Sequence, residues 1–111
     1  MKKVNILGTL YTIYFDTPDE KLPEGCDGCM DQSIHQIRIA KLESSRNSLR
    51  NLKEYKKKVL RHEIIHAFLY ESGLWNNSGD AESWGWNEEI TDWIAIQSPK
   101  LFKAFKEADC L

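Results

Sequence analysis

The sequence lacks the long apolar run of a membrane-spanning helix, and it lacks a strong net charge. Its 111 residues include 15 basic and 17 acidic side chains, which gives a formal net charge of −2 at pH 7. A chain this close to neutrality creates no overall field that would draw it to nucleic acid or to an anionic membrane. We therefore expect no membrane partner, and we rank nucleic acid low among the possible partners.

Cysteine is also scarce, with three residues, and an odd number does not predict a disulfide framework. Cys26 and Cys29 form a C-x-x-C pair, and Cys110 lies close to the last residue. Reduced thiols in a loop are the simplest interpretation of the pair. A redox pair or a metal-binding pair is the alternative.

Internal repeats and low-complexity tracts are absent, so residues 1–111 are expected to form a single domain with a modest core. The first residues include two lysines, as a secretory signal does. Asn5, Gly8 and Thr9 interrupt the apolar stretch that such a signal needs. We expect this segment to be the first strand of a cytoplasmic protein.

A segment with the composition of a helix carries the sequence His62-Glu63-Ile64-Ile65-His66. Residues four apart share a face of a helix, so His62 and His66 can reach one metal ion. Glu63 lies at the flank of that face, where it can touch a metal-bound water without binding the metal. Apolar neighbours on most sides indicate a buried helix, and two histidines satisfied in a core are the alternative.

A second motif, Asn87 to Asp92, offers the remaining groups of a metal site. Catalytic zinc usually has three protein ligands and one open position. Glu88 can be the third ligand, and Asp92, one helical turn later, can accept the free ring N–H of a ligating histidine. Glu82 and Glu89 rank below Glu88 because neither has a carboxylate four residues further on. A His₂Glu set favours one Zn²⁺ per chain.

The two motifs, His62 to His66 and Asn87 to Asp92, lie about twenty residues apart. In this order and spacing they resemble the thermolysin-type zinc metallopeptidases, the gluzincins. This match covers under a third of the chain. The chain is also similar to small phage-encoded metallopeptidase-like proteins. The resemblance implies a zinc-dependent peptidase in which Glu63 is the general base. It also implies that Asp92 orients a ligating histidine, in the first place His62.

The resemblance further implies a peptide or an exposed protein segment as substrate. In gluzincins an edge strand beside the metal helix binds the extended substrate, and Ile34–Ile39, which alternates apolar and polar residues, is our candidate. Larger gluzincins stabilise the oxyanion with a His or Tyr beyond the third ligand, and none follows Glu88. Tyr55, Tyr70 or His35 could replace it, or zinc could act alone. For His35, a solvent-facing position on the strand is the simpler expectation.

The predicted fold class is α+β: a small, mostly antiparallel sheet packed on the buried metal helix, with one or two further helices, a minimal zincin-like architecture. Val4–Phe15 is rich in strand-forming residues and predicts the first strand, with a bulge or bend at Gly8. Asp16–Asp31 contains prolines, glycines and acids and predicts an exposed connection. Ile34–Ile39 should pair with the first strand.

The metal helix is predicted from about Arg46 to Ser72, with Ser44 or Ser45 as its N-cap and Gly73 as its C-terminal stop. A second helix should run from Asn87 through Ile96. After it, two alternatives remain open.

In the first alternative, Ser98 and Pro99 are the N-cap and first residue of a last helix. In the second, Pro99 only kinks one longer helix. Trp84 and Trp86 should pack where the helices cross or wall a substrate pocket. Five basic residues form a stripe along the metal helix, and a solvated face is the simplest interpretation of it: Arg46, Arg50, Lys53, Lys57 and Arg61.

A function of a different class is compatible with the same motifs. The chain could be a catalytically silent, zinc-stabilised binding module, possibly phage-encoded. The presence of Glu63 favours catalysis, because a purely structural zinc site needs no base. A protein that binds nucleic acid through the basic stripe ranks third. A minor regulatory alternative is that one thiolate of the C-x-x-C pair caps the zinc.

Overall fold

The computed structural model describes residues 1–43, 50–77 and 87–111. Within these ranges four strands and three α-helices occur, and the predicted α+β class is confirmed. The strands form one sheet in the order β1-β2-β4-β3. The elements are β1 (Lys2–Ile6), β2 (Thr9–Thr17), β3 (Gly28–Asp31), β4 (Gln36–Ala40), α1 (Leu52–Glu71), α2 (Leu74–Asn77) and α3 (Glu88–Glu107).

The predicted first strand, Val4–Phe15, is in fact a β-hairpin. Leu7 and Gly8 both have positive φ angles, 50° and 95°, and Ile6 pairs with Thr9 across them. Two successive positive φ angles are typical of a two-residue hairpin turn whose twist matches that of the flanking strands. The predicted bend at Gly8 is therefore a complete reversal of the chain.

The predicted connection Asp16–Asp31 contains a strand that the sequence analysis missed, β3. This strand pairs antiparallel with β4, and β4 pairs parallel with β2. The sheet is therefore mixed, with two antiparallel pairings and one parallel pairing. The choice of Ile34–Ile39 as an edge strand was wrong, because β4 lies inside the sheet, between β2 and the outer strand β3.

One cluster of buried apolar side chains contains residues of both the sheet and α1. In α1, Val59 and Ala67 belong to this cluster, and Glu63 lies midway between them at four-residue spacing. This row of the helix therefore faces the core, and Glu63 is buried with it. From the sheet, the cluster contains Ile6, Tyr11, Ile13, Ile37 and Ile39.

Helix α1 begins later than predicted. Its N-cap is Asn51, whose side chain accepts a hydrogen bond from the Glu54 backbone N–H at 3.2 Å. The helix does not include Arg50 and Asn51 as predicted; the predicted start, Arg46, and the predicted caps, Ser44 and Ser45, lie outside the described residues. Gly73 follows the helix with a φ of 85°, as expected for a residue that ends it.

Helix α3 is one continuous helix with Pro99 inside it. The predicted new start at Ser98 is wrong, and the alternative of a single longer helix is the correct one. Its N-cap is Asn87, whose side chain accepts from the Ile90 backbone N–H at 2.8 Å. None of the helices in the described ranges combines the length and apolar character needed to cross a bilayer.

Candidate metal centre

Helix α1 presents three functional side chains beside β3. His62 and His66 are neighbours one turn apart on the flank of the row that faces the core, and Glu63 belongs to that row itself. The two imidazole side chains are 15% and 12% exposed. This arrangement separates the two histidines, at the rim of the core, from a carboxylate that lies within it.

Helix α3 packs against α1 and places the carboxylates of Glu88 and Asp92 beside the two histidines. Asn87 caps the helix, so Glu88 is its first residue and Asp92 follows one turn later. A carboxylate in the first turn also interacts favourably with the positive end of the helix dipole. The Glu88 side chain is 73% exposed and reaches inward to both histidines.

The ligand atoms of His62, His66 and Glu88 converge on one point. The two Nε2 atoms lie 3.1 Å apart. Glu88 places Oε2 3.2 Å from His62 Nε2 and Oε1 2.7 Å from His66 Nε2. Among the described residues, these three form the one group of potential metal ligands whose atoms all lie within 4.8 Å of one another.

Two of these three distances match those around a zinc ion, and the third, 2.7 Å between His66 and Glu88, is shorter. Zinc bonds of about 2.0–2.2 Å in a tetrahedral arrangement place neighbouring ligand atoms about 3.3 Å apart. The two distances from His62 Nε2, to His66 and to Glu88, lie close to that value. The donor set of two imidazoles and one carboxylate is that of a catalytic zinc site, which keeps a fourth position for water or substrate. His62, His66 and Glu88 therefore suit the zinc ion that the sequence predicts.

Asp92 lies behind His62, in the position predicted for a carboxylate that orients a ligand. His62 Nδ1 is 3.1 Å from Asp92 Oδ1, and Lys58 Nζ is 3.1 Å from the same oxygen. Burial raises the pKa of Asp92, but the hydrogen bonds from Lys58 and His62 outweigh it and hold the pKa below its usual value. An ionised Asp92 that accepts the Nδ1 proton leaves the Nε2 lone pair of His62 directed at the cluster.

Glu63 is the one deeply buried acid of the site. It is 8% exposed, and burial raises its pKa to about 7, with a further increase from Glu88 and a decrease from His62. A carboxylate with a pKa near neutrality can both take and return a proton at working pH. Burial also lowers the pKa of the neighbouring His66, which Glu88 partly opposes.

A cavity of about 330 Å³ lies against these groups. Its wall includes the three potential ligands and Glu63, together with Cys26, Gly28, Cys29, Met30 and Trp75. Trp75 belongs to α2, and its ring lies 6.3 Å from that of His66. The sequence analysis did not select Trp75 or Gly28, although an aromatic residue just after the metal helix was a usable signal.

Gly28 allows β3 to approach α1 closely. A Cβ atom at this position would lie 2.9 Å from Val59 Cγ1 and 3.2 Å from Glu63 Cγ. Such distances are too short without movement of a neighbour. Glycine at this position therefore lets β3 pass close to Val59 and Glu63.

Of the three predicted substitutes for an oxyanion donor, Tyr55 lines a cavity that the site residues also line. That cavity, of about 240 Å³, is also lined by His62, Glu63 and Glu88. The Tyr55 hydroxyl donates a hydrogen bond to Asp27, which raises its pKa to about 12, together with burial.

The other two candidates lie elsewhere. Tyr70 stacks edge-on against Trp75 at 5.6 Å. His35 lies in a turn before β4, with a φ of 54° and its ring 5.3 Å from that of Tyr11.

The cysteines of the C-x-x-C pair are free thiols at the edge of the cavity. Cys26 is exposed, whereas Cys29 is half-buried in β3 rather than in a loop. Burial raises the pKa of Cys29, and Glu63 raises it further. Neither thiol belongs to the three-ligand cluster.

The other residues weighed in the sequence analysis lie either apart from the cluster or outside the described residues. Glu89 is exposed and outside it. Glu82, Trp84 and Trp86 lie outside the described residues. In the basic stripe, Arg46 is also outside the described residues, whereas Arg61 is half-buried and the other members are exposed: Arg50, Lys53 and Lys57.

Comparisons with known proteins identify no relatives. No protein-family model matches the chain, and neither a curated protein nor a solved structure matches it.

Proposed function

We propose that the chain is a cytoplasmic zinc-dependent peptidase. The observation that carries the proposal is the convergence of His62, His66 and Glu88 beside Glu63, a buried carboxylate with a pKa of about 7. A site that only stabilises a fold needs ligands but no base. This pairing of ligands with a base is what hydrolysis by an activated water requires.

Each side chain has a separate task in the reaction. When bound, zinc supplies a Lewis acid that polarises a carbonyl and makes a coordinated water acidic. Glu63 accepts a proton from the attacking water and then delivers it to the leaving amine. Asp92 keeps His62 in the tautomer whose Nε2 can bind metal. Tyr55, which lines the adjoining cavity, is our candidate to donate a hydrogen bond to the developing oxyanion, for which it would exchange its hydrogen bond to Asp27.

The proposed substrate is an extended peptide that adds to β3 as a further strand. This strand is one of the two outer strands of the sheet, and Gly28, Cys29 and Met30 from it line the cavity. The outer edge of a strand offers unpaired backbone groups to an extended chain. A peptide bound there would pass near Glu63, because a Cβ atom at Gly28 would lie only 3.2 Å from Glu63 Cγ.

The test of the proposal is Glu63→Gln, assayed on a library of unstructured peptides whose cleavage is read by mass spectrometry. Hydrolysis should fall at least about 100-fold, since a general base contributes that much or more. Zinc content should stay at one ion per chain, because Glu63 is not in the ligand cluster. Glu54→Gln removes an exposed acid from the first turn of the same helix and should change neither quantity.

Two results would count against this function. Equal hydrolysis by the wild type and Glu63→Gln would mean that Glu63 is not the base. Zinc and peptide binding by both proteins with no cleavage by either would favour the zinc-stabilised binding module.

A further inference from the structure

The contact between Arg61 and the backbone of Ala95 joins the two helices that carry the metal ligands. The guanidinium Nε of Arg61 donates to the Ala95 carbonyl oxygen at 2.6 Å. Arg61 belongs to the basic stripe that the sequence analysis took for a solvated face. It precedes His62 in α1, and Ala95 lies three residues after Asp92 in α3.

The acceptor in this contact has no ordinary partner. In an α-helix the carbonyl of residue 95 accepts from the N–H of residue 99. Residue 99 is proline, which has no N–H, and α3 continues through it. Ala95 is fully buried, so water cannot replace the missing donor. Without Arg61, its carbonyl would be a buried acceptor with no hydrogen bond.

We propose that Arg61 is a positioning residue of the metal centre: it replaces the missing donor of Pro99 and so fixes where α3 sits on α1. The inference rests on the proposed zinc site, because the register it sets is the one that places Glu88 and Asp92 at His62.

The geometry explains why one hydrogen bond can set a register. Consecutive residues of α1, Arg61 and His62, contact Ala95 and Asp92, which lie on neighbouring turns of one α3 face. Two such links constrain both sliding and rotation of α3. Lys58 adds a third contact, again to Asp92. The small side chain of Ala95 lets the helices approach closely enough for the guanidinium to reach the backbone.

A double-mutant cycle tests the proposal. Arg61→Met keeps an unbranched side chain and removes the donor, and Pro99→Ala restores the N–H that the Ala95 carbonyl lacks. The two single variants, the double variant and the wild type are compared as full chains, as purified. Denaturant unfolding gives the equilibrium constant, and competition with a chromogenic chelator gives the Kd for zinc.

Arg61→Met should raise the unfolding equilibrium constant about 10-fold in the natural background. In the Pro99→Ala background the same substitution should raise it less than about threefold, because the restored N–H satisfies the carbonyl. Equal effects in the two backgrounds would overturn the assignment of Pro99 as the cause.

Zinc affinity separates positioning from mere stability. Arg61→Met should raise the Kd for zinc about 10-fold in the folded protein, as the loss of an outer-shell contact does. Lys57→Met removes a positive charge from the exposed side of the same helix and should leave the Kd unchanged. A Kd for Arg61→Met within twofold of the wild type would overturn the positioning role.

Two further outcomes are also decisive. If Arg61→Met does not fold, Pro99→Ala should restore its folding, and failure to do so would contradict the pairing. If the wild type binds no zinc, the proposed function fails, while the unfolding cycle still decides whether Arg61 compensates for Pro99.

Discussion

The Nε2 atoms of His62 and His66 lie 3.1 Å apart, one turn from each other on α1. Both nitrogens cannot carry a proton at this distance and keep a favourable contact. Asp92 Oδ1 lies 3.1 Å from Nδ1 of His62, which favours the tautomer with its proton on Nδ1 and a free lone pair on Nε2. The pair is thus prepared to share a cation, with the Glu88 carboxylate as the third ligand.

The first prediction concerns Asp92. Asp92→Ala should weaken zinc binding about 10- to 100-fold, because His62 loses the group that fixes its tautomer and ring orientation. Chelator competition measures this Kd. Glu89→Ala is the matched control, since Glu89 is exposed on the same helix and outside the cluster. Equal losses in the two variants would mean that the effect is one of charge alone.

The second prediction concerns the pH dependence of stability in chelator-treated protein. The pKa of Glu63 is raised from its model-peptide value to about 7 in the folded chain, so the folded state binds more protons than the unfolded state between about pH 4.5 and 7. Stability contributed by Glu63 is therefore present below that range and is lost as pH rises through it. The loss should amount to about 3 kcal/mol of unfolding free energy.

The pKa of His66 is lowered, so His66 acts in the opposite direction over part of the same range. The quantity to measure is therefore the difference between the wild type and Glu63→Gln, by denaturant unfolding at several pH values. The wild type should lose stability relative to the variant as pH rises. A difference that stays constant from pH 4.5 to 7 would show that Glu63 titrates normally.

The third prediction concerns Gly28. Gly28→Ala should cost about 1–3 kcal/mol of stability and reduce hydrolysis more than zinc binding, because the added methyl group meets Val59 and Glu63 rather than a ligand. Val59→Ala removes the closest obstacle and should restore part of both losses in the double variant. Additive losses in the double variant would contradict this account of the contact.

The fourth prediction concerns the substrate strand. Alternate backbone N–H groups of an added strand face the strand it joins. Methylation of single backbone nitrogens along a cleaved peptide should therefore slow cleavage at every second position near the scissile bond. The cleavage rate of each methylated peptide, measured by mass spectrometry, tests this alternation. Uniform tolerance along the peptide would exclude addition to β3.

The groups around the candidate metal centre were predictable because their spacing is local. His62 and His66 lie four residues apart on one helix, and so do Glu88 and Asp92, so the shared faces follow from helical geometry alone. That the two helices meet depends on tertiary packing. The resemblance to gluzincins anticipated this meeting, and local periodicity did not.

The outer strand β3 was not predictable in the same way. Its four residues, Gly28–Asp31, include a glycine and an aspartate, which are uncommon in strands, and the strand is defined by pairing with β4. For the same reason Ile34–Ile39, with its clear alternation, was mistaken for the edge. Alternation of apolar and polar residues indicates which face of a strand is buried, but it does not indicate where that strand lies in the sheet.

Pro99 illustrates a different limit. From local sequence, Ser98-Pro99 is a good helix start, because proline is favoured at the first helical position. Within α3, Pro99 cannot donate the hydrogen bond that the Ala95 carbonyl would normally accept. Arg61, 38 positions before Pro99 in the sequence, donates to that carbonyl instead. A compensation that arises from another helix leaves no trace in local propensity.

The most direct test of the central claim is the metal content of the freshly purified protein and of Glu88→Ala, by elemental analysis without added metal. We predict one zinc ion per chain in the wild type and a large loss in the variant, because Glu88 contacts both histidines from α3. A wild-type protein that contains no zinc and takes up none on titration would contradict the account.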